Sequence, residues 1–346
     1  MRGTKTDIIV ASVITQSFPE LISIGIESTA HTFGIGITDS QGKILADCRR
    51  TIKPEKGGIH PRDTSRHHYD VAPDVLKEAL GQSGLNLDQV DIVAFSRGPG
   101  LGPCLRVGAT MARAIAVAHS KPLIGVNHCL AHLEIALKLT GAKDPVFLYL
   151  SGGNTQVISE AEGRYVVFGE TEDIAIGNLL DVFARSAGLS FPGGPKLEEL
   201  AMNEGKLIDL PYVVKGMNVS FSGLLTMVQS LMQKERLEDL AYSIQEVCFS
   251  MLLEASERAM AYLGKNELTL AGGVGANKRL REMAGKMCEE RGAKFFDYAK
   301  EYYVDNGVMI SWAGLEHFSS GDVLPVESSK ALQKWRIEDV KIPRRL

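Results

Sequence analysis

The segment Asn127-His128-Cys129-Leu130-Ala131-His132 brings two histidines and a cysteine into six residues. Pro122–Val126 reads as a short strand, and Asn127 then stands where a helix N-cap belongs. Histidines four residues apart share one helical face, with Cβ atoms roughly 5–6 Å apart. That spacing suits two imidazoles on one metal ion. It also suits two ordinary surface histidines, and the segment alone leaves both open. A helix N-terminus disfavours imidazolium, so both rings are expected to be neutral and free to ligate. A zinc protease of the H-E-x-x-H kind needs glutamate beside the first histidine, where Cys129 stands. Glu134 lies on another face, so proteolysis of that kind is disfavoured.

Three glycine-rich or acidic segments add nucleotide chemistry. Ser151-Gly152-Gly153-Asn154-Thr155 joins two strand-like runs. Its glycines let backbone N–H groups approach a phosphate, although the same residues make a plain turn. Ala271-Gly272-Gly273-Val274-Gly275-Ala276-Asn277 follows a strand and opens a helix over Lys278–Glu290. A flat glycine turn accepts a planar base, and Asn277 can donate or accept at its edge. Asp173–Arg185 reads as a helix in which Asp181 faces either ribose hydroxyls or Arg185, four residues on. Phe191-Pro192-Gly193-Gly194-Pro195 is a rigid turn, with Glu198 one helical turn later. Asp305 precedes the helical stretch that follows Gly307, as either a cap or a ligand.

These residues need a frame. Leu21–Ile26, Phe33–Thr38 and Lys43–Ala46 read as strand, strand, strand, separated by the polar loop Glu27–Thr32 and a turn at Asp39–Gly42. Val146–Leu150, Gln156–Glu160 and Tyr165–Phe168 repeat that order. Each set is followed by helical stretches and a further strand, Asp91–Phe95 in one case and Glu267–Ala271 in the other. The chain is therefore read as two duplicated mixed α/β halves with a cleft between their glycine-bearing loops.

Composition narrows the class. The chain has 346 residues, 45% hydrophobic and 23% charged, with 35 glycines and a formal net charge of −4. That excludes a disordered chain and a generic basic nucleic-acid coater. Five cysteines without a C-x-x-C pair argue against a disulfide framework and for a reducing, cytoplasmic setting. No apolar run approaches the ~18 residues of a membrane span. Arg49–Tyr69 has little apolar periodicity, and the tail Lys330–Leu346 is basic; Arg49–Arg66 and the tail are read as local contacts for an anionic partner, with a solvated surface or a subunit interface as the alternative.

IGIESTAHTFGIGI, GGIHPRDTSRHH, SRGPGLGPCLRVG, NHCLAH, YLSGGNTQV, DIAIGNLLDVFAR, PGGP, AGGVGAN and VDNGVMI occur in this order from about Ile22 to His317. The set resembles the universal tRNA threonylcarbamoyladenosine transferase family, once described as O-sialoglycoprotein endopeptidases, in its archaeal and eukaryotic branch. The resemblance implies RNase H-like halves of the actin/hexokinase/Hsp70-like (ASKHA) ATPase superfamily. It divides the chain into an extension (1–20), a first half (21–145), a second half (146–325) and a basic tail (326–346). It implies a metal, iron or zinc, on His128, His132 and Asp305, with Tyr149 as a phenolate-type fourth ligand. It places the phosphates of ATP or threonylcarbamoyl-AMP on Ser151, Gly152, Gly153 and Asn154. It places the ribose and its surroundings near Asp181, Gly194 and Glu198, and the nucleoside near Asn277. Implied partners are ANN-decoding tRNA, a small kinase-like ATPase and the other subunits of a KEOPS-type complex, with no membrane. A small-molecule kinase of the same superfamily and a metalloprotease are the rival expectations. No residue is identified as the general base; Glu27 and His31 are candidates from the first loop.

Overall fold

A computed structural model describes residues 20–54, 58–202, 205–343 and 345–346. The N-terminal extension, apart from Glu20, lies outside the described residues. The first sheet contains β1 (Ile22–Glu27), β2 (Thr32–Asp39), β3 (Ile44–Thr51), β4 (Ile92–Gly98) and β5 (Leu123–Asn127). Helix α1 (Pro61–Ser83) precedes β4, α2 (Gly102–Ala118) lies between β4 and β5, and α3 (His128–Thr140) follows β5. The second sheet opens with β6 (Val146–Leu150), β7 (Thr155–Ala161) and β8 (Arg164–Glu170). Helices α4 (Ile176–Ser186) and α5 (Gly193–Ala201), a small hairpin of β9 (Val214–Lys215) and β10 (Asn218–Val219), then α6 (Ser222–Leu231) and α7 (Leu237–Leu263) follow. The sheet is completed by β11 (Glu267–Ala271) and, after α8 (Lys278–Arg291), by β12 (Lys294–Phe296); α9 (Gly307–Ser319) comes last.

The strand orders are β3-β2-β1-β4-β5 and β12-β11-β6-β7-β8. In each sheet the first three strands in sequence are antiparallel, and the next two add in parallel on the far side of the first. Strand β1 thus corresponds to β6 and β4 to β11, as the repeated strand order leads one to expect. Both sheets are covered by helices, so β1, β2, β4 and β6 are apolar and buried along nearly their whole length.

Two helices tie the halves together. Helix α9 is late in sequence, yet it packs on β1 and β2 of the first sheet and on α3. Glycine permits this: a Cβ on Gly307 would lie 2.0 Å from the Gly36 nitrogen, and one on Gly36 2.2 Å from the Val308 nitrogen. One apolar cluster accordingly runs from Ile92 and Val126 of the first sheet through α3 and α9 to Val146–Leu150 of the second.

The stretch Arg49–Tyr69, read from sequence as irregular, ends inside regular elements. Arg49, Arg50 and Thr51 complete an edge strand, and Pro61 opens α1 from its first turn. The buried stripe of α1 is Thr64, His68, Ala72, Val75 and Ala79, whose first members are polar enough to hide a helical period. The predicted helix start at Asp173 also shifts, because α4 begins at Ile176. Asp173 instead caps α6 from a distance. Its carboxylate accepts from the backbone N–H of Phe221 at 2.9 Å and of Ser222 at 2.9 Å, and from Ser220 Oγ at 2.6 Å. Partial burial raises this carboxyl, but the hydrogen bonds outweigh it and hold it well below the usual range. Asp173→Ala is therefore expected to lose about 1 kcal/mol at pH 7, as for a lost helix cap. A depressed folded-state carboxyl stabilises above its unfolded value, so the deficit should shrink below the ordinary 3.8. Urea denaturation at pH 7 and pH 3 checks both the size and the sign.

Candidate functional site

The site forms where β5 hands over to α3. Asn127 Oδ1 accepts from the Leu130 N–H at 3.1 Å, so the helix starts at His128 as the sequence predicts. His132 is fully buried and His128 nearly so. Their rings stand perpendicular, with centroids 4.8 Å apart. Asp305 Oδ1 lies 3.3 Å from His132 Nε2 and 3.5 Å from His128 Nε2. One donor atom from each of the three falls within 4.8 Å of the others. The cap expected at this helix start is not Asp305 but its neighbour. Asn306 caps α9, accepting from the Met309 N–H at 2.9 Å, which leaves the Asp305 carboxylate to the histidines.

Sequence reasoning missed the role of Glu27. It weighed this residue as a general base, but its fully buried carboxylate takes the His128 Nδ1–H at 3.0 Å. Its other oxygen accepts from the Thr29 N–H at 2.6 Å. This is how metal-ligating histidines are commonly oriented, one nitrogen held by a carboxylate and the other presented to the ion. The sequence signal was an acidic residue ending an otherwise apolar strand. The expectation of two neutral imidazoles needs correction. Burial lowers His128, but the Glu27 and Asp305 carboxylates outweigh burial and push it up to about 9. Burial dominates at His132, which is lowered. Asp305 is raised by burial and lowered more strongly by the two imidazoles, ending below the carboxylate range. Full charges a few ångströms away outweigh the fractional charge of a helix end.

Tyr149 is the penultimate residue of β6, with its ring 5.7 Å from that of His132 and no exposed surface. Its hydroxyl is buried without a partner among the described residues, and burial pushes the phenol far above its ordinary value. An orphaned phenol beside three convergent N and O donors fits a transition-metal site of mixed nitrogen and oxygen ligands.

The residues expected from sequence to meet a nucleotide follow. Ser151-Gly152-Gly153-Asn154 directly follows Tyr149-Leu150. Ser151 Oγ accepts from the Asn154 N–H at 3.0 Å, closing the loop, while Gly152 and Gly153 are exposed and face open space. Asp181 Oδ1 accepts from the Gly193 N–H at 2.7 Å, clamping the Phe191–Pro195 turn against α4 and fixing the half-exposed Gly194. Glu198 Oε1 accepts from the Lys278 N–H at 2.8 Å. Asn277 Oδ1 caps α8 through the Leu280 N–H, and its Nδ2 donates to Gln245 Oε1 at 2.8 Å. Asp181, Glu198 and Asn277 thus brace backbone, and of the three Glu198 lines a cavity of about 380 Å³, together with Tyr242, Gln245 and Lys278 among others. That volume suits a nucleoside. Across the cleft, His31 makes an edge contact with Phe191, ring centroids 5.6 Å apart.

The two basic stretches fare differently from the expectation. Arg49 pairs with Asp47 and donates to the carbonyls of Glu301 and Asp305, and Arg50 pairs with Glu78. The tail is packed. Arg97 donates to the carbonyls of Ser328 and Lys330, Arg336 pairs with Glu338, and Arg345 reaches buried Glu134. No helix among the described residues is long and apolar enough to cross a membrane.

Comparison with known proteins agrees with this geometry. The family model for tRNA N6-adenosine threonylcarbamoyltransferase matches residues 43–312. A protein of that name from Thermococcus sibiricus is 52% identical over 324 residues, covering 93% of this chain and 99% of the relative. A probable bifunctional tRNA threonylcarbamoyladenosine biosynthesis protein from Methanosarcina mazei is 52% identical over 322 residues, with 92% of this chain covering 59% of that one. The fold is shared with HypF from T. kodakarensis (TM-score 0.60, 15% identity, 86% of this chain and 47% of that one). It is shared also with component A of (R)-2-hydroxyglutaryl-CoA dehydratase from Acidaminococcus fermentans (TM-score 0.52, 14% identity, 84% and 96%). With two sheets of one topology joined by α3 and α9, this is the two-lobed ASKHA-type fold. The chain belongs to the tRNA N6-adenosine threonylcarbamoyltransferase family.

Proposed function

We propose that the chain transfers a threonylcarbamoyl group from threonylcarbamoyl-AMP to N6 of adenine 37 in ANN-decoding tRNA. The observation that carries this reading is the adjacency of the His128–His132–Asp305 cluster to the Ser151–Asn154 loop, in a chain of this family. The adenine amine attacks the carbamoyl carbon, the bond from that carbon to the phosphate oxygen breaks, and AMP leaves with the electron pair. The amine nitrogen gives up a proton.

The residues divide this work. His128, His132 and Asp305, with Tyr149, would hold iron or zinc, whose Lewis acidity would polarise the donor and balance phosphate charge. Glu27 keeps His128 Nε2 turned to the site. The exposed Gly152–Gly153 turn, whose Gly153 N–H donates to Ser151 Oγ at 3.3 Å, would let backbone N–H groups meet the phosphate and stabilise it as it departs. Asp181, Gly194 and Glu198 shape the ribose side, and Asn277 the base side. Exposed Arg62, and exposed Arg66 with Asp70 3.7 Å away, stand at the start of α1 as the candidates for tRNA phosphates, since Arg49 and Arg345 are engaged internally and Arg50 pairs with Glu78.

We also infer that the chain works with a small kinase-like ATPase and other subunits of a KEOPS-type complex. A cytoplasmic setting is supported by five free, buried cysteines.

The test is a transfer assay. The chain, with and without those subunits, receives ATP, bicarbonate, threonine, a threonylcarbamoyl-AMP synthase and an ANN-decoding tRNA. Nucleoside mass spectrometry is expected to find threonylcarbamoyladenosine only when metal is present. No product with every partner present, together with steady ATP turnover on a small alcohol, would support the kinase reading instead.

A further inference from the structure

The chemistry above leaves one buried group unused, a pair of stacked tyrosines beneath the Gly272–Asn277 turn. Tyr303 is fully buried and Tyr298 nearly so. Their rings lie 3.9 Å apart with planes 12° from parallel. Tyr298 OH donates to the Leu270 carbonyl, in the strand that enters the turn, at 3.0 Å. Tyr303 OH donates to Asp297 Oδ1 at 2.7 Å, and Asp297 Oδ2 receives Arg281 Nη1 at 2.9 Å. Arg281 stands one turn into α8, the helix that leaves the turn. The pair therefore grips both ends of the turn.

The turn itself is wedged between two tyrosines. A Cβ on Gly275 would lie 2.9 Å from Tyr303 Cδ1, so the ring bears directly on that backbone. On the other side Gly272, at φ +81°, sits so near β6 that a Cβ would lie 2.4 Å from the Leu150 carbonyl oxygen and 3.1 Å from Tyr149 Cε2. Tyr303 is two residues before Asp305. One rigid ring thus connects the backbone that presents Asp305 to the turn that ends in Asn277.

We propose that Tyr303 is a positioning residue that couples metal binding to nucleotide binding. It fixes the backbone around Asp305 and the Gly272–Asn277 turn as one body. This rests on the site reading above, in which the triad holds the metal and the turn meets the nucleoside. Filling the triad orders the segment before α9, Tyr303 carries that order into the turn, and AMP then binds a preformed surface. The coupling is reciprocal, so AMP must strengthen metal binding by the same factor.

The experiment is calorimetric titration of the full chain with AMP, metal-stripped and zinc-loaded, in wild type, Tyr303→Phe and Tyr303→Leu. Zinc is expected to raise wild-type AMP affinity at least about fivefold, the lower end of ordinary allosteric coupling. Tyr303→Leu should bring that ratio to near one while zinc still binds one per chain. Tyr303→Phe keeps the ring and loses only the bond to Asp297, so it should fold and show an intermediate ratio. A folded Tyr303→Phe and a folded Tyr303→Leu that both keep the wild-type ratio overturn the proposal. If Tyr303→Leu does not fold, an unchanged ratio in Tyr303→Phe overturns it alone. A wild type that binds zinc and AMP independently also overturns it. A wild type that binds neither refutes the site reading and the coupling with it, and is recognisable as such.

Discussion

Replacing His132 by alanine is expected to leave a folded chain that retains no stoichiometric metal and makes no threonylcarbamoyladenosine. His132 has no exposed surface, and its Nε2 is the donor nearest to Asp305, at 3.3 Å. Its removal takes away one of the two imidazoles and leaves His128, Asp305 and Tyr149, a set expected to lose a transition metal on dialysis. The helix survives, because Leu130, Leu133 and Ile135 anchor it in the core independently of the imidazole. Glu27→Gln is the graded counterpart. It keeps the shape and loses the charge behind His128 Nδ1, so metal affinity should fall about 10–100-fold rather than vanish. Elemental analysis after zinc loading and dialysis, with nucleoside mass spectrometry in parallel, separates the two. A His132→Ala chain that keeps one zinc would mean that the ion binds elsewhere.

What was legible beforehand follows from the range of each signal. The His128–His132 pair was legible because a helix repeats locally, and the duplication because strand order repeats along the chain. Asp305 is far from both histidines in sequence. It reaches them because Gly36 and Gly307 let α9 settle on the first sheet, a contact no local pattern encodes. The protonation state of His128 was misjudged for the same reason, since Glu27 and Asp305 are distant in sequence. Asn277 was legible as a polar residue after a glycine turn, but its partnership with Gln245 of α7 was not. The tail was read as a contact for an anionic partner because composition counts charges and cannot show where they go. Arg345 goes to a carboxylate in α3, and that destination has energetic consequences.

Arg345→Ala is expected to destabilise the fold by about 2–3 kcal/mol, and Glu316→Gln to stabilise it. Glu134, on α3, has a fully buried side chain, with Tyr165 OH donating to one oxygen at 2.6 Å and Arg345 Nε to the other at 3.1 Å. Arg345 Nη2 also reaches Glu160 Oε2 at 2.8 Å. Losing one partner of a buried ion pair typically costs about 3–5 kcal/mol. Arg345 is 36% exposed, so solvent screens the pair and reduces the cost to about 2–3 kcal/mol. Glu316, on α9 beside this cluster, makes no direct ion pair among the described residues, and the charges of Arg345 and Lys138 pull its carboxyl down only in part. Burial first, and the Glu134 charge second, push its carboxyl from the ordinary 4.5 up to about 9. The sign follows from linkage. Between those values the unfolded chain has released a proton that the folded chain keeps, so stability falls as pH rises, by up to about 1.4 kcal/mol per pH unit. An amide of the same shape removes that slope. Glu316→Gln should therefore match wild type near pH 4.5 and exceed it by about 1–3 kcal/mol at pH 8, as read by urea denaturation. Equal stability of the two chains at pH 8 would show that Glu316 ionises freely in the fold. An Arg345→Ala chain within about 0.5 kcal/mol of wild type would reduce the Glu134 pair to a surface contact, whose usual worth is that small.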